Sequence, residues 1–164
     1  MRKLWQCKDW TEYIHEKTRS GIRIYFDKNV DFEVRRACKE YIRWLRNYYE
    51  FPIRVPIYFK DTKYVKNSEG EESSALFFGP NQLTMEPYIK ISVGDYEDLL
   101  RDRDKDNALA AILCSVTHEL THYFQWIKHH EIWLSGDRNN FFERQAVYYG
   151  REIVYDYADT REHP

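Results

Sequence analysis

The chain has 164 residues, 32% of them charged, and a formal charge of only −2, which suits one domain with a modest core. So balanced a charge offers no electrostatic basis for nucleic acid or an anionic membrane as partner. Three widely spaced cysteines argue against a disulfide framework and for a reducing compartment. The first ten residues lack the apolar stretch of a secretory signal and no later run is long enough to cross a bilayer, so a cytoplasmic location is expected. Fourteen tyrosines and five tryptophans make the chain unusually aromatic, and such residues serve cores and also line peptide-binding clefts.

In chain order, residues 8–19 read as a weak helix. The run Gly21-Ile22-Arg23-Ile24-Tyr25-Phe26 alternates as a strand does. Asp31 is placed to cap a helix that runs to Glu50, with Val34, Ala37, Cys38, Tyr41, Ile42, Leu45 and Tyr48 on its apolar face and Pro52 beyond its end. Strands are expected at residues 53–59, 74–79 and 88–93. Pro56 predicts that the first of these lies at a sheet edge or carries a bulge. Residues 66–74 read as a solvated loop, and the turn residues Gly79-Pro80-Asn81 make an antiparallel hairpin of the last two strands. The expected class is α+β in a single domain over 1–164: a small mixed or antiparallel sheet backed by a helix, with two further helices across it.

The first of those helices carries the chemistry. Residues 107–128 contain no Gly or Pro and follow the capping candidates Asp104, Asp106 and Asn107. Leu109, Ile112, Leu113, Val116, Leu120, Phe124 and Ile127 mark its buried side. Ser115, His118, Glu119 and His122 lie on a different strip. Two histidines about one turn apart point from one face and can grip one metal ion, with Glu119 beside it as a base. Cys114, one turn before His118, would close such a site as a fourth ligand, so an inert buried thiol is the preferred reading.

A third ligand is needed. Extension to HExxHxxGxxH fails, because Gln125 and Lys128 stand where Gly and His are required. A second helical pattern over residues 139–158 places Glu143 on a face with Ala146, Val147, Gly150 and Val154. The small residues Ala146 and Gly150 allow a close approach to the histidine helix, bringing Glu143 within reach. His129 and His130 are the alternative ligands. Asp137 and Asp156 are candidates to orient the imidazoles.

His118-Glu119-Leu120-Thr121-His122 followed by Glu143 on the next helix resembles the gluzincin branch of zinc metallopeptidases, to which thermolysin belongs. The compact layout is most similar to the small minigluzincin-like and ImmA/IrrE-like peptidases. Only the HExxH–Glu pair is specific, within a resemblance that covers about residues 75–155. The resemblance implies a zincin-like fold and one Zn2+ held by His118, His122 and Glu143. It also implies Glu119 as general base, and an edge strand that receives a peptide or protein substrate, with Ala75-Leu76-Phe77-Phe78-Gly79-Pro80 as the candidate. The family carries an Asp four residues after the ligand Glu, where this chain has Val147. Its downstream His or Tyr has no clear counterpart, since His163 lies in the tail; Tyr148 and Tyr155 are the candidate transition-state stabilisers.

The expected function is therefore zinc-dependent endopeptidase. The alternatives are a regulatory ImmA/IrrE-like protease cleaving one partner protein, and a degenerate zincin acting as a binding module, against which the presence of Glu119 argues. Residues 1–20 form a candidate N-terminal extension or pro-segment, in which Cys7 or Asp9 could occupy an open metal position. Residues 128–140 read equally as a mobile rim or as an ordinary connection.

Overall fold

A four-stranded sheet of order β1-β2-β6-β5 carries the molecule, in a computed structural model that describes residues 4–5, 19–136 and 140–164. Its strands are β1 (Ile22–Phe26), β2 (Val55–Lys60), β5 (Ala75–Phe78) and β6 (Tyr88–Ser92). β1, β2 and β6 run parallel, while β5 pairs antiparallel to β6 with Ala75 opposite Ile91 and Phe77 opposite Ile89. The sheet is thus mixed, and β5 forms one of its edges. The expected helix at 8–19 lies mostly outside the described residues, as do Cys7, Asp9 and Asp137.

Pro56 does not mark an edge. β2 is an interior strand, and its neighbour Val55 donates its N–H to Gly21 on the β1 side at 3.0 Å. Alternation along the strand turns the Pro56 nitrogen toward β6, and the β2–β6 ladder starts only at Ile57–Ile89. The missing N–H therefore falls just before the ladder, where it costs no hydrogen bond.

Two short strands, β3 (Val65–Lys66) and β4 (Glu72–Ser73), form a small antiparallel pair in what the sequence presented as loop. Helix α1 (Phe32–Tyr48) is capped by the Asp31 side chain, which accepts from Glu33 N at 2.8 Å. It buries Val34, Ala37, Cys38, Tyr41, Ile42 and Leu45. Tyr48 departs from the expected face: it stands exposed against Trp44, and Tyr49 just past the helix end is buried instead.

Three helices follow the sheet: α2 (Tyr96–Asp102), α3 (Lys105–Lys128) and the short α4 (His130–Ser135), before α5 (Asn140–Ala158) closes the fold. α2 and α4 are additions to the expected layout, and α4 puts His130–Ser135, within the 128–140 stretch, in a short helix. Gly136 takes a left-handed conformation (φ 72°) at its C-terminus, which favours a residue without Cβ.

α3 is the central element, nearly wrapped by protein from Leu120 to Ile127. Tyr123 ties it to the entry of β2, accepting from Ile53 N at 3.0 Å and donating to Ile53 O at 2.6 Å. Tyr41 of α1 donates to Thr117 Oγ1, whose own hydroxyl donates to Leu113 O. Trp5 is buried against Tyr49, Phe51 and Phe124 and donates from Nε1 to Thr121 Oγ1 at 3.1 Å. That much of the first 20 residues belongs to the core. No helix among the described residues is long and apolar enough to cross a membrane.

Candidate metal centre

The largest helix–helix contact is α5 on α3, and glycine makes it close. A Cβ built on Gly150 would lie 3.2 Å from the Cys114 carbonyl oxygen and 3.7 Å from His118 Cβ. Ala146, one turn earlier, is fully buried in the same seam. With the two backbones so near, the first turn of α5 brings Glu143 over the histidines of α3.

There the three side chains meet. His118 Nε2 and His122 Nε2 face each other at 3.2 Å. Glu143 straddles them, with Oε1 3.1 Å from His122 Nε2 and Oε2 3.4 Å from His118 Nε2. The edges of a tetrahedron with metal–ligand bonds near 2.0–2.1 Å are about 3.3–3.4 Å long, so all three separations suit ligands of one ion. Among the described residues, this is the group of His, Cys, Asp and Glu atoms close enough to share a cation. Glu143 is not embedded in an apolar face as its helical pattern suggested; its side chain is 63% exposed and only the carboxylate end is engaged. Val147, expected on the same buried strip, is exposed as well.

The protonation pattern of His122 follows from its neighbour. Gln125 is fully buried, and its amide nitrogen donates to Phe142 O at 3.0 Å and to Gln145 Oε1 at 2.8 Å. A carbonyl oxygen can only accept, so the orientation of this amide is settled, and its Oε1 lies 2.8 Å from His122 Nδ1. That oxygen needs a proton from Nδ1, so in the neutral imidazole Nε2 keeps its lone pair, on the side of His118 and Glu143. Two imidazole nitrogens and a carboxylate so arranged are all electron donors aimed at one point, and a divalent cation satisfies them together.

Gln125 appeared in the sequence only as a mismatch to the longer zinc motif. The signal for its role was its place three residues after His122, the spacing of helical neighbours. Of the two residues proposed to orient the imidazoles, Asp156 lies near the far end of α5, away from them, and Asp137 is outside the described residues.

Glu119 is 7% exposed beside this group. Burial pushes its carboxyl up to about 7, with Glu143 adding to the rise and His122 opposing it. Burial lowers His118, and His122 beside it acts in the same direction. Burial also depresses His122, but hydrogen bonds to Glu143 and Gln125 and the Glu119 charge outweigh it and hold that imidazole above its ordinary value. Glu143 is lowered, chiefly by its hydrogen bond to His122.

A cleft of about 510 Å³ opens at His118 and Glu119, with Ser74 and Ala75 at the start of β5 on one wall and Val147 and Gly150 of α5 on the other. The start of the edge strand, Glu119 and His118 therefore face one opening. His130 has both ring nitrogens on carbonyls, Trp126 O at 3.0 Å and Asn81 O at 2.8 Å, and His129 stacks on Phe142. Neither joins the cluster. Tyr148 is exposed and packs on Tyr149, away from the lining of this cleft, while Tyr155 borders a groove further along α5. Cys114 lies on the cleft floor, its thiol raised by burial. No known protein family, curated protein or solved structure matches the chain.

Proposed function

We propose that this protein is a zincin-like, zinc-dependent metalloendopeptidase, with His118, His122 and Glu143 as the zinc ligands and Glu119 as the general base. The observation that carries the proposal is the triangle of Nε2, Nε2 and carboxylate with separations of 3.1–3.4 Å, set at the mouth of a cleft that also holds a buried glutamate. One zinc ion bound there supplies a Lewis acid that eases deprotonation of water and polarises a scissile carbonyl.

The chain's own residues do the rest. The Gln125 amide holds His122 in the tautomer with a free Nε2. The exposure of Glu143 leaves the cluster open on its solvent side, as a catalytic site requires and a closed structural site does not. Glu119 receives a proton from the attacking water on its carboxylate and hands it to the departing amine nitrogen. Burial favours uptake of the proton in the first step, because desolvation penalises the carboxylate. The free edge of β5, which starts at the cleft wall, offers main-chain donors and acceptors to an extended peptide, a mode of binding that tolerates many sequences.

The test is direct. Purified protein should carry one zinc per chain, and His118→Ala or Glu143→Ala should lose it. Glu119→Gln should keep the metal while hydrolysis of a peptide library falls by about 100- to 10,000-fold. Hydrolysis that survives Glu119→Gln, or zinc that survives His118→Ala, refutes the assignment.

A further inference from the structure

The cleft does not end at the metal-binding group. Past Ser115 it continues along the seam between α3 and α5 into a second groove of about 760 Å³, and Arg103, Ala111, Cys114 and Arg151 line both. Ala111 and Cys114 are the small floor of this passage. Arg103 and Arg151 are its charged walls, the first at the C-terminal end of α2 and the second in the middle of α5. Both guanidinium groups act on the Cys114 thiol, each opposing the rise that burial imposes on it, so two separate elements direct positive charge at one spot.

Neither arginine has an ion-pair partner among the described residues. The carboxylates Asp102, Asp104, Asp106 and Glu162 line the second groove but not the cleft at His118. Asp104 is engaged in capping α3, and Asp106 pairs with His163 at 2.8 Å. In the stretch that reaches the metal-binding group, the charged side chains besides His118 and Glu119 are the two arginines alone. The two arginines thus line the stretch common to both openings, and the carboxylates only the second.

Helix geometry gives the scale. Arg151 follows Glu143 by eight residues, about 12 Å along α5, and Ala111 precedes His118 by seven, about 10 Å along α3. An extended peptide covers that length in about three residues. A guanidinium fork matches a carboxylate in shape and charge, and two of them lining one cleft define one site. We propose that Arg103 and Arg151 form a carboxylate-recognition subsite, which makes peptides bearing an acidic group about two to four residues from the scissile bond the favoured substrates. The inference rests on the peptidase reading above. The carboxylate has two possible sources, an Asp or Glu side chain within the chain or a free C-terminus.

Two peptide sets separate the sources. In the first, C-terminally amidated peptides carry Glu or Gln at each of four positions on either side of the bond. In the second, one neutral sequence ends in a free or an amidated C-terminus. The zinc-loaded protein should cleave the carboxylate-bearing member of at least one set with kcat/KM about tenfold higher or more. The Arg103→Gln/Arg151→Gln double variant should bring that ratio close to one. A second readout is fluorescence anisotropy with labelled Glu and Gln peptides on zinc-loaded Glu119→Gln protein. The Glu peptide should bind more tightly, by a margin that shrinks as salt is raised and vanishes when the arginine substitutions are added. Cleavage or binding without discrimination, or a preference that survives the double variant, overturns the subsite and leaves the peptidase reading standing. Arginine-dependent binding with no hydrolysis of any peptide overturns the peptidase reading and leaves the subsite.

Discussion

Gln125 places a neutral amide behind the imidazole of His122, a proposed zinc ligand, where zinc sites more often put a carboxylate or a backbone carbonyl. Its three hydrogen bonds run to His122 on its own helix and to Phe142 and Gln145 on α5, so the residue joins ligand orientation to the seam that positions Glu143. Replacing it by leucine frees Nδ1 and lets the His122 ring rotate or change tautomer. Gln125→Leu is expected to weaken zinc affinity by about 10- to 100-fold, the usual effect of losing an orienting partner. Competition against a fluorescent zinc chelator measures it, and affinity unchanged from the wild type would show that the amide only fills space. His118, Glu119 and His122 were legible in the sequence because their spacing is a property of one helix. Glu143 was legible through its distance from the motif and the small residues around it. Gln125 was not, because two of its three partners come from another element and no local pattern announces them.

Between elements, the distance from α3 to α5 decides whether three ligands become one site. Gly150 holds that distance, and even a methyl there would press on the Cys114 carbonyl oxygen at 3.2 Å. Gly150→Leu is expected to cost about 1–3 kcal/mol through overpacking. For a chain of this length that lowers Tm by roughly 2–4 °C per kcal/mol. It should also weaken zinc binding, since a displaced α5 carries Glu143 with it. A thermal melt and a zinc titration on the same sample check both, and a Tm loss without any loss of zinc affinity would uncouple the seam from the site. The long amphipathic elements α1, α3 and α5 were readable from their periodicity, as were the turn-bounded strands β5 and β6. The short ones were not: β3 and β4 are two residues each, and α4 has six residues with a single buried side chain, Trp133. Such pieces are set by what they pack beside, not by their own pattern. Pro56 misled for a similar reason, because its tolerance depends on where the neighbouring ladder begins.

Across the whole molecule, the tail and the metal group make separate demands on stability. His163 Nδ1 lies 2.8 Å from Asp106 at the start of α3, and that hydrogen bond together with the Asp106 charge raises His163 above 6.5. A raised folded value means that the contact stabilises fully below the unfolded value and is lost as pH rises through the folded one. Amide exchange in residues 159–164 should therefore be slower at pH 5.5 than intrinsic rates predict. His163→Ala should remove that protection at pH 5.5 and change nothing at pH 8.5. The metal group acts on a larger scale but is not what folds the chain. The core runs continuously through α1, the sheet, α3 and α5, and its buried residues do not include the proposed ligands His118 and Glu143. Metal-free protein should accordingly remain folded and cooperative, unlike a zinc finger. Zinc then stabilises by mass action alone, about 2.7 kcal/mol when free zinc is 100-fold above Kd. That corresponds to a Tm about 5–10 °C higher than in excess chelator. His122→Ala should melt at one temperature with or without zinc, because two remaining ligands hold the ion too weakly to matter. An equal zinc-dependent shift in His122→Ala would place the stabilising ion somewhere other than between α3 and α5.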